Sequence, residues 1–321
     1  MRSTLAFLLV TTLAGCSSSG AGNEQPDASG GGDGGVTPPT RGFQIVSPTV
    51  DLNPGADITY CYYFHAPNTS DLAIKKWASH MTAGSHDLMV YLTQTDLQTP
   101  GSLSTAKCGL ASDGPGPVWT YSAQSPDYEA PLPPDDGNGV PVGQPIKAGQ
   151  SGFLQMHFLN TTSAVLHAHV ELDAYAYDDG VQVTQAAPFF TLNTQIDLPA
   201  AAPAPTMGTV SGNCNVASSV KFFVMTTYTH KQGVHTFVKD GTNTVFDSTT
   251  WADPGAQHWS TPFFSFTSGK LTYQCEYVNP NSYRIKYGDS VTTQEMCMAM
   301  GYFFPATDAA GHMCLDSVML N

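Results

Sequence analysis

The sequence predicts an all-β protein of two consecutive antiparallel β-sandwiches, jelly-roll-like in type, and three observations point there. From Phe43 onward, short runs of alternating apolar and polar residues recur between clusters of Gly, Pro, Asn and Asp, the pattern of half-buried antiparallel strands. Gly (30) and Pro (23) are plentiful while only 12% of residues are charged, which suits a turn-rich exported β protein. Helical periodicity is scarce. A chain of 321 residues is long enough for about two domains.

Taken in order, the chain opens with an address. Met1-Arg2-Ser3 is a short positive region, Leu5 to Leu13 an apolar run, and Leu13-Ala14-Gly15-Cys16 a small-residue cleavage site, so residues 1–15 resemble a bacterial lipoprotein signal. That resemblance implies lipid on Cys16 and a place in the bacterial cell envelope, with Ser17 favouring the outer membrane. Residues 16–41 read as a flexible tether of Gly, Ser, Pro and Asp that cannot offset its own ordering entropy. Its reach is on the order of 25–30 Å. The two sandwiches are expected at 42–199 and 207–321, divided where Pro199, Pro203 and Pro205 interrupt any strand.

Strands are expected at 57–64, 88–93, 152–159, 220–229, 235–239, 270–277 and 298–304. A longer one spans 166–176, where Leu166, Ala168, Val170, Leu172, Ala174 and Ala176 alternate with His167, His169, Glu171, Asp173 and Tyr175. The stretch from Gly114 to Pro145 reads as one long loop. Export places Cys61, Cys108, Cys214, Cys275, Cys297 and Cys314 in an oxidising compartment, so three disulfides are expected, with fifteen possible pairings. The net charge of -14 excludes the phosphate backbone of nucleic acids as a partner. Past the leader no stretch approaches the ~20 apolar residues that cross a bilayer, so the membrane is reached through the lipid alone. A monomer is expected.

Ten histidines in so weakly charged a chain prompt a search for metal ligands. Imidazole suits copper and zinc, while thioether selects Cu(I). Three segments stand out: Ser85-His86-Asp87-Leu88-Met89, Gln155-Met156-His157-Phe158 and Tyr228-Thr229-His230-Lys231-Gln232-Gly233. Gln294-Glu295-Met296-Cys297 follows near the C-terminus. The mature chain holds no nucleophile elbow, zinc-protease helix, Cys-x-x-Cys pair or phosphate loop.

In this order the segments resemble the copper type II, ascorbate-dependent monooxygenases, the family of peptidylglycine α-hydroxylating and dopamine β-monooxygenase, from about Val46 to Phe304. The resemblance implies up to two copper ions, O2 and ascorbate or an equivalent reductant, with hydroxylation of an aliphatic C–H. It implies an electron-transfer copper on His86 and His157, with Asp87 where the family has a second His. It implies an oxygen-activating copper on His230 and Met296, with Tyr228 where the family has the first His of His-x-His. His235, two residues past Gly233, is a further candidate for the missing imidazole. The family's disulfides would join Cys61 to Cys108, Cys214 to Cys314 and Cys275 to Cys297.

Each implied copper site thus lacks one imidazole. Thr226, Met298 and Met300 stand where peptide-amidating members carry Arg, Asn and Tyr, so the bidentate clamp on a peptide carboxylate is missing. The substrate, small molecule or peptide, stays open, and the methionines favour an apolar one. The alternative is a non-catalytic copper- or ligand-binding lipoprotein on the same scaffold. His167 and His169 read as a solvated face, and His65, His80, His258 and His312 as structural.

Overall fold

The computed structural model describes residues 37–106, 108, 117–288, 290–306 and 312–320. The leader, Cys16 and nearly all of the tether lie outside the described residues. Strands make up all the regular structure described, as expected of an all-β chain. No described helix is long and apolar enough to cross a membrane.

Two sheets build the first half. A five-stranded sheet runs in the order Leu103–Ser104, Asp57–His65, Ser151–Leu159, Ser85–Thr93, Val118–Ala123. A six-stranded sheet runs Gly42–Val46, Val170–Ala176, Leu72–Met81, Val142–Ile146, Thr184–Gln185, with Asp127–Pro131 also paired to Leu72–Met81. Trp77 and Ile74 from one sheet and Tyr91 and Phe153 from the other meet in one core. Tyr91 stacks on Phe153 at 4.9 Å.

The second half repeats the plan. Gln257–His258, Lys221–Tyr228, Met298–Phe304, Ala187–Leu192, His312–Leu315 and Val318–Leu320 form one sheet; Thr206–Asn215, Lys270–Asn279, Gly233–Asp240 and Asn243–Ser248 form the other. Phe222, Phe266, Phe303 and Tyr273 fill the space between. Disulfides join Cys61 to Cys108, Cys214 to Cys314 and Cys275 to Cys297, the pairing the resemblance implies.

Three expectations change. The stretch 114–145 is not one loop: it holds the strands Val118–Ala123, Asp127–Pro131 and Val142–Ile146. Their prolines hide them from a pattern search, yet Pro131 and Pro145 sit at places in the sheet where the missing N–H is tolerated. The alternating stretch 166–176 is two strands, Leu166–Ala168 and Val170–Ala176, and its polar positions Glu171 and Asp173 are buried rather than solvated. Cross-strand neighbours flank both side chains on that face, Val46 and His80 beside Glu171 and Gln44 and Ala78 beside Asp173. Finally, Ala187–Leu192 already belongs to the second six-stranded sheet, so the chain changes sheets a dozen residues before the proline segment.

The strand Met298–Phe304 joins the halves. Its Met298, Met300, Tyr302 and Phe304 enter the core shared with the first half, while Ala299 and Phe303 enter the core of the second. The strand is buried on both faces, one set of alternate side chains reaching the first sandwich and the other packing into its own.

Candidate metal centre

His86, Asp87 and His157 form a group whose potential ligand atoms all lie within 4.8 Å of one another. The register explains it. His157 is the cross-strand partner of Asp87, so their side chains share a face. His86, next to Asp87 in sequence, would point the other way in a regular strand. Pairing jumps from His157↔Asp87 to Phe158↔Ser85, leaving His86 unpaired in a bulge. A bulge re-aims the extra side chain, and here it brings the His86 ring to 5.2 Å from the His157 ring, edge to face. The ring of Trp251, from a loop of the second half, lies 6.3 Å from that of His86.

Asp57, which the sequence reading missed, orients His157. Its carboxylate accepts from His157 Nε2 at 2.7 Å. Asp57 sits two residues from Thr59, the direct partner of His157, and diagonal neighbours in antiparallel strands share a face. No short-range pattern marks such a pair, because 100 residues separate its members.

With Nε2 committed to Asp57, Nδ1 of the neutral ring carries the lone pair. That Nδ1 is buried without a hydrogen-bond partner, and the nearest Asp87 oxygen stands at 3.5 Å, too far for a good hydrogen bond. Burial disfavours charge on His157, but the carboxylates of Asp87 and Asp57 outweigh it and hold the imidazole above its ordinary range. A buried bare nitrogen, a second imidazole and a carboxylate converging on one point fit a divalent transition metal. The Asp57 contact is the outer-shell partner such a ligand normally has.

His230 is built differently. The strand Lys221–Tyr228 ends before it, so Tyr228 and His230 do not share a continuous strand face, yet their rings meet edge to face at 5.4 Å. The buried carboxylate of Glu295 holds the turn that follows: it accepts the backbone N–H groups of His230 at 2.8 Å, Gln232 at 2.7 Å and Met296 at 3.2 Å. Burial still raises Glu295 to about 7. Gly233 is required, because a Cβ there would meet the Thr229 side chain at 2.2 Å.

His230 Nδ1 lies 3.0 Å from the carbonyl of Gln294. A carbonyl only accepts, so Nδ1 carries the proton and Nε2 the lone pair. Burial drives this imidazole down to about 4, and the ring is near enough to Asp87 and His157 to feel their charge. Met296 is buried two residues past Gln294, and its backbone carbonyl accepts from Tyr277 Oη at 2.7 Å.

His235 does not join this group. It sits in the strand Gly233–Asp240, with Nδ1 3.2 Å from Glu276 and Nε2 3.0 Å from Asp247. Its strand belongs to the four-stranded sheet, while Tyr228 belongs to the six-stranded one. With both ring nitrogens facing carboxylates, the Asp247 contact first among the causes, its pKa is raised.

The remaining histidines that carry described contacts also face acids: His65 with Asp96, His80 with Asp127, His167 with Asp51 and His169 with Glu171. Between the halves a cleft of about 250 Å³ is lined by Asp87, Met89, Tyr128, Tyr228, His258 and Met300, among others.

No family model and no curated protein matches the chain. Among solved structures, it is similar to the VP2 subviral particle of infectious bursal disease virus, with 10% identity and a TM-score of 0.18 over 82% of this chain and 72% of that one. A structure of the Gx strain of that virus gives 10% identity and a TM-score of 0.17 over 84% and 74%. Scores this low carry no argument.

Proposed function

We propose that the chain is a copper-dependent monooxygenase of the ascorbate-using type, hydroxylating an aliphatic C–H of a substrate held in the cleft between the sandwiches. The observation that carries this reading is the buried, unpartnered Nδ1 of His157 beside His86 and Asp87. Facing the same cleft is Tyr228, packed against a neutral His230 whose Nδ1 is already committed. Bound copper would supply one-electron transfer and O2 activation.

The chain's own residues do the rest. Asp57 fixes the His157 ring and presents Nδ1, while the Asp87 carboxylate adds a hard, anionic ligand that favours Cu(II). The Gln294 carbonyl fixes the other tautomer at His230 and presents Nε2. Glu295 ties the 230–233 turn to the backbone of Met296, so the two segments that would supply imidazole and thioether are held by one carboxylate. Met89 and Met300 give the cleft an apolar lining suited to an uncharged substrate.

A second reading, a non-catalytic copper-binding lipoprotein, is favoured by one observation: His235 lies in the other sheet with both ring nitrogens facing carboxylates, so it does not replace the imidazole that the second site lacks. Copper loading, desalting and mass spectrometry separate the readings. Two coppers per chain, a Cu–S scattering feature in the reduced protein that is lost in Met296→Ile, and ascorbate-dependent O2 uptake are expected of the enzyme. One copper without the Cu–S feature or O2 uptake would leave the binding protein. Lipid attachment at Cys16 belongs to the same proposal, and Cys16→Ser is expected to move the protein from the membrane fraction to the soluble one.

A further inference from the structure

We propose that an aromatic recess between the sandwiches, separate from the metal ligands, binds a small neutral aromatic molecule bearing a carbonyl oxygen. Its walls are Trp77, Trp119 and Tyr121 from the first half and Phe223 and Tyr302 from the second. Its volume is about 150 Å³, and an apolar cavity of that size takes a benzene ring. No Asp, Glu, Lys or Arg lines it, so a charged ligand would enter without a partner.

The polar end of the ligand is read from the unmet indole N–H of Trp119 in the recess wall, with a second unmet donor, Gln144 Nε2, behind the wall and outside the lining. Among the described residues, Trp119 Nε1 and Gln144 Nε2 are buried without a hydrogen-bond partner. The orientation of Gln144 is fixed by chemistry. Trp77 Nε1 can only donate, and it does so to Gln144 Oε1 at 2.8 Å, so the atom left over is the amide nitrogen. Tyr302 Oη approaches the same oxygen at 3.5 Å. Gln144 therefore stands directly behind two residues of the recess wall.

Trp119 is itself in that wall, with its ring 5.5 Å from that of Tyr302. Native proteins keep few buried donors unpaired, because each forgoes its water without compensation. An acceptor oxygen on an aromatic ring meets both requirements, shape and hydrogen bonding. The recess and the metal-facing cleft share Ser122, Tyr128, Thr226, Ala256 and His258, so the two adjoin.

The test is calorimetry on the full metal-free chain with acetophenone and with α-methylstyrene, in which a CH2 replaces the carbonyl oxygen. Acetophenone is expected to bind saturably. Trp119→Phe, which keeps a ring and removes the N–H, is expected to weaken acetophenone relative to α-methylstyrene by roughly five- to tenfold. An unchanged ratio, or no saturable binding of acetophenone, would overturn the proposal. Should Trp119→Phe fail to fold, the wild-type chain with 15N-labelled indoles gives the answer. One of its four tryptophan N–H signals should move downfield with acetophenone and not with α-methylstyrene, and the absence of that difference would equally overturn the proposal.

Discussion

His157 and His230 are both buried histidines near one cleft, and their surroundings drive them in opposite directions. His157 faces two carboxylates that outweigh its burial and hold it above the ordinary imidazole range; His230 is driven down to about 4 by burial, against which the Gln294 carbonyl and the distant Asp87 charge pull only weakly. Each arrangement fixes a tautomer, but only the second keeps the ring neutral in mild acid without a metal. Carboxylate partners give a ligand that a proton contests, whereas burial beside a neutral carbonyl leaves the lone pair free in mild acid.

The largest effect expected is structural. Glu295→Ala would leave the N–H groups of His230, Gln232 and Met296 unpaired, costing about 4 kcal/mol in chemical denaturation. A cost near zero would mean that the turn carrying His230 does not depend on this carboxylate, and the contrast drawn above would lose its basis.

The next concerns pH. His230 is lowered from 6.5 to about 4, so the unfolded chain binds the proton more tightly. Metal-free protein should therefore lose about 3 kcal/mol from this group as pH falls from 6.5 to 4. His157 and His235 are raised, so their contribution has the opposite sign: present below 6.5 and lost as pH rises through their folded values. The difference between the denaturation curves of wild type and His230→Asn across this window checks it: wild type should lose about 3 kcal/mol more than the variant on acidification, since Glu295, raised to about 7, pulls the other way in both. Histidine ring proton shifts in NMR should show His157 titrating above 6.5 and His230 far below.

Smaller effects sharpen the first centre. His157→Ala is expected to lower copper affinity there at least about a hundredfold, measured by competition titration. Asp57→Asn keeps the ligands but removes the anionic partner of Nε2, and should cost about tenfold. His235→Ala, at a site with both nitrogens already engaged, should leave copper affinity unchanged and stability within about 1 kcal/mol of wild type. A loss of copper with this last variant would return His235 to the ligand set.

Much of the fold was legible because strands announce themselves locally. The run Met298-Ala-Met-Gly-Tyr-Phe-Phe304 reads as a strand at period two, and the structure has it at the same bounds. The strands Val118–Ala123 and Val142–Ile146 were not legible, because prolines and glycines around them carry the signal of a loop while pairing partners far along the chain make them strands. His86, Asp87 and His157 were legible as candidates from residue type and order. Asp57 and Trp251 were not, since nothing near them in sequence marks them.

By itself, then, the sequence determined the class of structure, the supply of ligand types and their order along the chain, all properties set by residues a few positions apart. Tertiary structure alone decided which nitrogen of each imidazole is free. That choice rests on a carboxylate 100 residues away for His157 and a backbone carbonyl 64 residues away for His230. It also decided that His86 turns toward Asp87, through a bulge that exists only when Ser85–Thr93 pairs with Ser151–Leu159. And it set His235 apart, because the turn at Gly233 passes the chain from the six-stranded sheet to the four-stranded one, where Glu276 and Asp247 engage both ring nitrogens.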